Sequence, residues 1–178
     1  MDIYFLRHAS AGDKKAPTAQ EDEKRPLDAK GIEQSKQMGR LLADLDIKPD
    51  AFISSPLTRA VQTAELVAEQ LKGGSSLTLD DALRPDASYE QFQDLLQHYA
   101  RRKTIIVTGH NPNLSEFLSF LISGGTASGA AELKKGTVAK VNYQQQGKGT
   151  LQWCVTPKLL GAAQESARSN SRPKTSRK

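Results

Sequence analysis

Arg7 and His8 close an apolar run, Ile3 to Leu6, and the small residues Ala9 to Gly12 follow them. The run is partly β-branched and aromatic and reads as a buried strand, which brings a cation and a possible nucleophile or base together to a strand's C-terminal end. In open α/β sheets that edge is where ligands bind. Thr104 to Gly109 is the clearest strand of the chain, and it too runs into a histidine, His110, with Asn111-Pro112-Asn113 opening a helix behind it. A third strand end comes at Ala51 to Ser54, followed by a helix whose first turn holds Arg59. Free backbone N–H groups and the positive dipole end favour an anion there over a structural cation, and a bound phosphate would account for the arginine. With the strands parallel, two histidines and two arginines converge on one edge of the sheet.

The elements that must position these groups follow from apolar spacing. Ser10 to Pro26 is polar and charged, and reads as a long loop leaving directly from Arg7-His8. Loops of this length inside a compact domain commonly serve a site. Asp28 caps a first helix with an apolar stripe of Ile32, Met38, Leu41, Leu42 and Leu45. After Ser55-Pro56, which suit a helix start near Leu57, the positions Leu57, Ala60, Val61, Ala64, Val67, Ala68 and Leu71 hold helical spacing for four turns. Leu77 to Leu79 reads as a short strand. Ser88 with Gln91 reads as a capping box for a helix carrying Phe92, Leu95, Leu96 and Tyr99. Thr137 to Tyr143 and Thr150 to Val155 alternate as a hairpin or as neighbouring strands. His98 and Trp153 are assigned to surface and packing roles.

The chain has 178 residues, 37% hydrophobic and 25% charged, which suits one well-buried domain. Its formal charge of +5 is concentrated at the end: Gly161 to Lys178 has five Lys or Arg against one Glu, which leaves the body near +1. We expect a folded domain over 1–160 and a basic, disordered tail over 161–178. The near-neutral body argues against nucleic-acid binding as the main role. A single cysteine, Cys154, excludes an internal disulfide framework, and no run approaches the ~18 apolar residues of a membrane span, so a cytoplasmic protein without membrane association is expected. His8, His98 and His110 show no ligand spacing, and we expect no metal and no cofactor.

Three segments, in this order, resemble the signatures of the histidine phosphatase superfamily: Leu6-Arg7-His8-Ala9, the stretch Ser54 to Ala64 around Arg59, and Gly109-His110-Asn111-Pro112. The resemblance covers roughly Met1 to Pro157, and with Arg25-Pro26-Leu27 before the first helix it is closest to the SixA-type phosphohistidine phosphatases. It implies a three-layer α/β/α fold of the phosphoglycerate mutase-like kind, with a mostly parallel central sheet and helices on both faces. The family's usual glycine after the Arg-His pair is Ala9 here, so the turn at that point must avoid positive φ.

By this resemblance His8 is the nucleophile and Arg7, Arg59 and His110 complete the phosphate site. The chemistry agrees. A phosphoryl group in transfer spreads charge over three equatorial oxygens, and two planar guanidiniums with an imidazole donor can neutralise it. His8 must keep one ring nitrogen free, with the other held as N–H by an acceptor. Asp22 is the first candidate for general acid, then Glu21, with Asp86 and Glu90 behind, and Arg25, Glu21 and Asn111 would contact substrate. About fifty residues separate Arg59 from His110, too few for a large cap, which favours a phosphorylated side chain on a protein over an enclosed metabolite. The expected partner is a histidine phosphotransfer domain-like phosphoprotein, met by a monomer. The competing readings are a broad phosphomonoesterase of small molecules and, in another class, a binding module acting through the basic tail.

Overall fold

The computed structural model describes residues 1–12, 18–71, 76–125, 129–144 and 148–170. Six strands form one sheet: β1 (Asp2–Arg7), β2 (Ala51–Ser54), β3 (Leu77–Leu79), β4 (Thr104–Gly109), β5 (Val138–Asn142) and β6 (Thr150–Val155), in the order β3-β2-β4-β1-β5-β6. The first four in that order run parallel, and β5 and β6 are antiparallel to their neighbours. The helices are α1 (Ala19–Glu23), α2 (Ala29–Asp44), α3 (Thr58–Ala68), α4 (Tyr89–His98), α5 (Asn113–Ser123) and α6 (Pro157–Asn170). Among the described residues, no helix is long and apolar enough to cross a membrane.

The three layers follow from alternation along the central strands. Ile3, Phe5, Ile105 and Val107 face Phe92, Leu95 and Leu96 of α4 and Leu114, Phe117, Leu118 and Leu121 of α5. The intervening Tyr4, Leu6 and Ile106 face Met38 and Leu42 of α2 and Ala64 and Val67 of α3, where Trp153 packs edge-on against Tyr4 at 5.8 Å between ring centroids. β1 and β4 are thus apolar on both faces, as strands between two helical layers must be.

Register levels the strand ends. Arg7 lies opposite Gly109, and Ser54 lies opposite Thr108. The ladder continues one step past each strand, with His8 N donating to Gly109 O (3.0 Å) and Ser55 N to Thr108 O (2.9 Å). His8, Ser55 and His110 therefore leave the sheet at one height.

Several expectations are corrected. The loop from Ser10 to Pro26 contains α1, started by a reciprocal capping box between Thr18 and Glu21. The sequence carries that Thr-x-x-Glu signal. Residues 13–17 of the same loop lie outside the described residues. Ile32 and Leu45 are not core: they are 41% and 49% exposed, because the stripe of α2 that meets the sheet is narrower, centred on Met38 and Leu42. Ser55 does not cap α3. Its N-cap is Leu57, without a side-chain hydrogen bond, and Pro56 stands outside the helix.

The domain boundary expected at 160 falls inside α6. Thr156 Oγ1 accepts from Leu159 N (3.1 Å) with Pro157 at the first helical position, and helix-favouring alanines carry the segment on to Asn170. Residues 171–178, the rest of the basic tail, lie outside the described residues.

Candidate active site

β1 delivers Arg7 and His8, β4 delivers His110, and the first turn of α3 delivers Arg59. His8, Arg59 and His110 are buried, at 6%, 5% and 3% exposure, and the two imidazole rings lie 5.0 Å apart between centroids. Residues more than a hundred positions apart in the chain meet at the C-terminal edge of the sheet.

The tautomer of His8 follows from its partner. Nδ1 lies 2.8 Å from Ala9 O, and because a carbonyl only accepts, Nδ1 carries the proton and Nε2 keeps its lone pair. Burial, with Arg59, Arg7 and Lys135 adding to it against the Ala9 hydrogen bond, lowers the His8 pKa to about 3, so the ring is neutral near pH 7. Ala9 adopts no positive φ: among the described residues Asp46 is the one non-glycine that does. Its methyl group is buried with Ala11 and Leu27.

His110 is neutral as well. Burial first, then His8, Arg59, Arg7 and Arg25, bring its pKa down to about 2. Its Nε2 lies 2.9 Å from Ser55 Oγ, and with the hydroxyl donating there, Nδ1 is left as an N–H donor.

Arg7 Nη1 donates to Leu133 O (2.7 Å), and Arg59 Nη1 donates to the backbone oxygen of Asp22 (2.8 Å). Among the described residues, the buried side-chain nitrogens without a hydrogen-bond partner are Arg7 Nε, Arg59 Nε and His110 Nδ1. Buried polar groups are ordinarily satisfied, so three orphaned nitrogens confined to this cluster call for an acceptor that reaches all of them. A tetrahedral oxyanion has the required number of oxygens.

The remaining candidates divide. Asp22 reaches the site: Oδ2 lies 3.3 Å from Arg59 Nη2, and Oδ1 accepts from Arg25 Nε at 3.0 Å. Arg25 Nη1 donates to Ala11 O (2.8 Å) and Gly12 O (3.3 Å), which places it at the rim and ties α1 to the loop after His8. Glu21 is exposed and committed to the Thr18 capping box. Asp86 and Glu90 are exposed, and no hydrogen bond or ion pair among the described residues joins them to the four central groups. Asn111 donates from Nδ2 to Leu133 O (2.9 Å), and its Oδ1 accepts from Ser115 Oγ (2.9 Å), so its amide holds the wall of the site together.

Three further contributors carry little sequence signal. Ser55, read as a helix cap, orients His110 instead. Thr63 Oγ1 accepts from Ala9 N (3.1 Å) while donating to Arg59 O (2.7 Å), which joins the two anion-facing segments. Leu133 acts through its carbonyl, a role no side-chain pattern advertises.

The neutral histidines make stability depend on pH. Each has a folded pKa far below its unfolded value near 6.5, so the unfolded state binds more protons once pH drops below about 6.5, and the folded state loses stability in that direction. Unfolding free energy is expected to fall by up to about 1.4 kcal/mol per pH unit for each histidine between pH 6 and 4.5. Urea midpoints at half-unit steps measure this, and a flat profile across that range contradicts buried neutral rings.

The chain belongs to the histidine phosphatase superfamily, branch 1, whose model matches residues 3–105. It is 34% identical over 128 residues to an uncharacterized protein of Picosynechococcus sp., covering 71% of this chain and 76% of that one. Among solved structures it is similar to the protein histidine phosphatase SixA complexed with tungstate, at TM-score 0.80 and 25% identity, over 90% of this chain and 99% of that one. A putative alpha-ribazole-5'-P phosphatase from Escherichia coli shares the fold at TM-score 0.68 and 20% identity, over 88% of this chain and 97% of that one. The protein is thus a phosphatase of this superfamily with a phosphoglycerate mutase-like fold.

Proposed function

We propose that the protein is a cytoplasmic phosphatase that removes the phosphoryl group from phosphohistidine on a partner protein, through a phosphorylated His8. The observation that carries the substrate class is that the described residues between α3 and β4 spend their buried side chains on the core and reach the rim through Arg84, which pairs with Glu23. The buried residues of α4 pack into the core beneath the sheet, and Ala82 and Leu83 of the short turn before it join the same core. A site at the open edge suits a side chain presented by a protein surface better than a metabolite that must be enclosed. The likeness to SixA, a protein histidine phosphatase, supports the same reading.

His8 Nε2 attacks the phosphorus, the bond to the substrate imidazole breaks, and that imidazole leaves with a proton. Water then attacks phospho-His8 in line and releases inorganic phosphate. Arg7, Arg59 and the His110 N–H hold the three equatorial oxygens. Asp22 is the residue we assign to proton delivery, since it alone among the acidic candidates reaches Arg59. Arg25 lines the rim beside it.

The test compares kcat/KM for a phosphorylated histidine phosphotransfer domain with that for a panel of sugar phosphates. Higher efficiency on the phosphoprotein is expected. Preference for the sugar phosphates overturns the reading in favour of a small-molecule phosphomonoesterase.

A further inference from the structure

Lys134 to Thr137 form a tight turn against the backbone of the nucleophile. Thr137 N donates to Lys134 O (3.0 Å), and Gly136 sits at φ +72°, the left-handed conformation that the third position of a type II turn requires. Lys135 therefore occupies the turn's second position, at its tip.

The turn is fixed to the site from three directions. Gly136 N donates to Arg7 O (3.2 Å) and His8 O (3.1 Å), and Arg7 N donates to Thr137 O (3.1 Å). Leu133, just before the turn, is fully buried. Its carbonyl accepts from Arg7 Nη1 and Asn111 Nδ2, and its N–H donates to Ser115 Oγ at 2.9 Å. On the far side, a Cβ at Gly136 would come within 2.9 Å of Pro157 Cγ. The base of Lys135 cannot drift relative to Arg7-His8.

Lys135 itself is exposed, and among the described residues it has no ion-pair partner. The hydrogen bonds of its turn to the Arg7 and His8 backbone put it on the rim of the site, where its charge also lowers the pKa values of His8 and Asp28. Arg25 pairs with Asp22, and Arg84 with Glu23 and Asp81, whereas Lys135 pairs with none of the described carboxylates. In the free protein a lysine without an ion pair beside Arg7, Arg59 and Arg25 is repelled by three guanidiniums, offset by its attraction to Asp28. It becomes favourable when the ligand brings negative charge beyond the phosphoryl group.

We propose that Lys135, held at the tip of a turn pinned to Arg7 and His8, selects substrates by contacting an acidic side chain that flanks the phosphorylated histidine. The inference rests on the phosphoprotein reading and adds the charge of the recognised surface. Lys135 acts here as a specificity residue, away from the reacting atoms.

Two phosphohistidine peptides, matched except for glutamate or lysine flanking the phosphorylated residue, provide the test with the full chain, K135R and K135E. The unaltered protein and K135R are expected to prefer the glutamate peptide, and K135E to lower the kcat/KM ratio between the peptides by about tenfold, mainly through KM. An unchanged ratio in K135E, or loss of preference in K135R as complete as in K135E, overturns the proposal. Equal hydrolysis of both peptides by the unaltered protein overturns it while leaving the phosphoprotein reading intact. Hydrolysis of neither peptide, with free phosphoramidate still cleaved, removes that reading and this proposal together.

Discussion

Replacing His8 with asparagine is expected to lower kcat/KM on the order of 10⁴-fold or more, the scale seen when a covalent nucleophile is removed and only positioning remains. Asparagine is the informative choice because its amide N–H can still donate to the Ala9 carbonyl, which His8 Nδ1 meets at 2.8 Å, while no lone-pair nitrogen replaces Nε2. Arg7, Arg59 and His110 remain to bind an anion, so a tungstate- or phosphate-induced rise in melting temperature should persist. Labelling with a phosphodonor and quenching in alkali, where phosphohistidine survives, should place the label on His8 in the unaltered protein and abolish it in the variant. Label on any other residue, or a variant with more than about one hundredth of the activity, removes His8 from the nucleophile's role. The same variant carries one fewer buried neutral imidazole, so its loss of stability below pH 6 should be shallower.

Gly31→Ala is expected to destabilise the protein by about 3 kcal/mol or more, at the upper end of what overpacking costs. A Cβ at this position would lie 1.9 Å from Ser10 O, 2.9 Å from Ser10 C and 3.0 Å from Ser10 N, all backbone atoms with no rotamer to escape into. Relief requires α2 to back away from the loop that follows His8. That motion breaks a set of contacts centred on Asp28, whose carboxylate accepts from Gly31 N (2.7 Å), Ser10 Oγ (2.7 Å) and Gly12 N (2.7 Å). Activity should therefore fall with stability, although Gly31 touches no reacting group. Urea denaturation and kcat/KM measured on one preparation test the coupling. Gly161→Ala is the control: nothing lies within 4 Å of its added Cβ in the interior of α6, and alanine there should stabilise by about 0.5–1 kcal/mol. A Gly31 variant that is as stable as the parent would show that the contact of α2 with Ser10 does not hold this loop.

What the sequence made legible divides by the kind of signal. β1 and β4 are buried on both faces and read as unbroken apolar runs, and α3 and α5 keep a clean helical period. Their ends therefore put Arg7, His8, Arg59 and His110 at one edge on sequence grounds alone. Period alone set the width of the α2 stripe too broadly, because whether Ile32 reaches the sheet depends on the roll of the helix and not on spacing. α1 was missed although its capping box is written in Thr18 and Glu21, since five residues carry no periodicity. α6 was missed because small, polar and basic composition resembles a solvated tail until a Thr-Pro start nucleates it. Within the site, the contributions of Ser55 and Leu133 depend on contacts 55 and 126 positions apart: Ser55 lies in a recognisable segment but reads there as a helix cap, and Leu133 acts through a backbone oxygen that no side-chain pattern marks.

The pairing of Arg59 with Asp22 has a consequence for the end of the cycle. A deeply buried guanidinium left without a counter-charge is costly by several kcal/mol, and that cost would act as glue, retaining inorganic phosphate after hydrolysis. Here the chain's own carboxylate, 3.3 Å from Nη2 in the resting state, stands ready to take the vacated place. On the proposed reading, release of phosphate is expected to be coupled to the return of Asp22 to Arg59, and a D22N variant should show a lower Ki for inorganic phosphate.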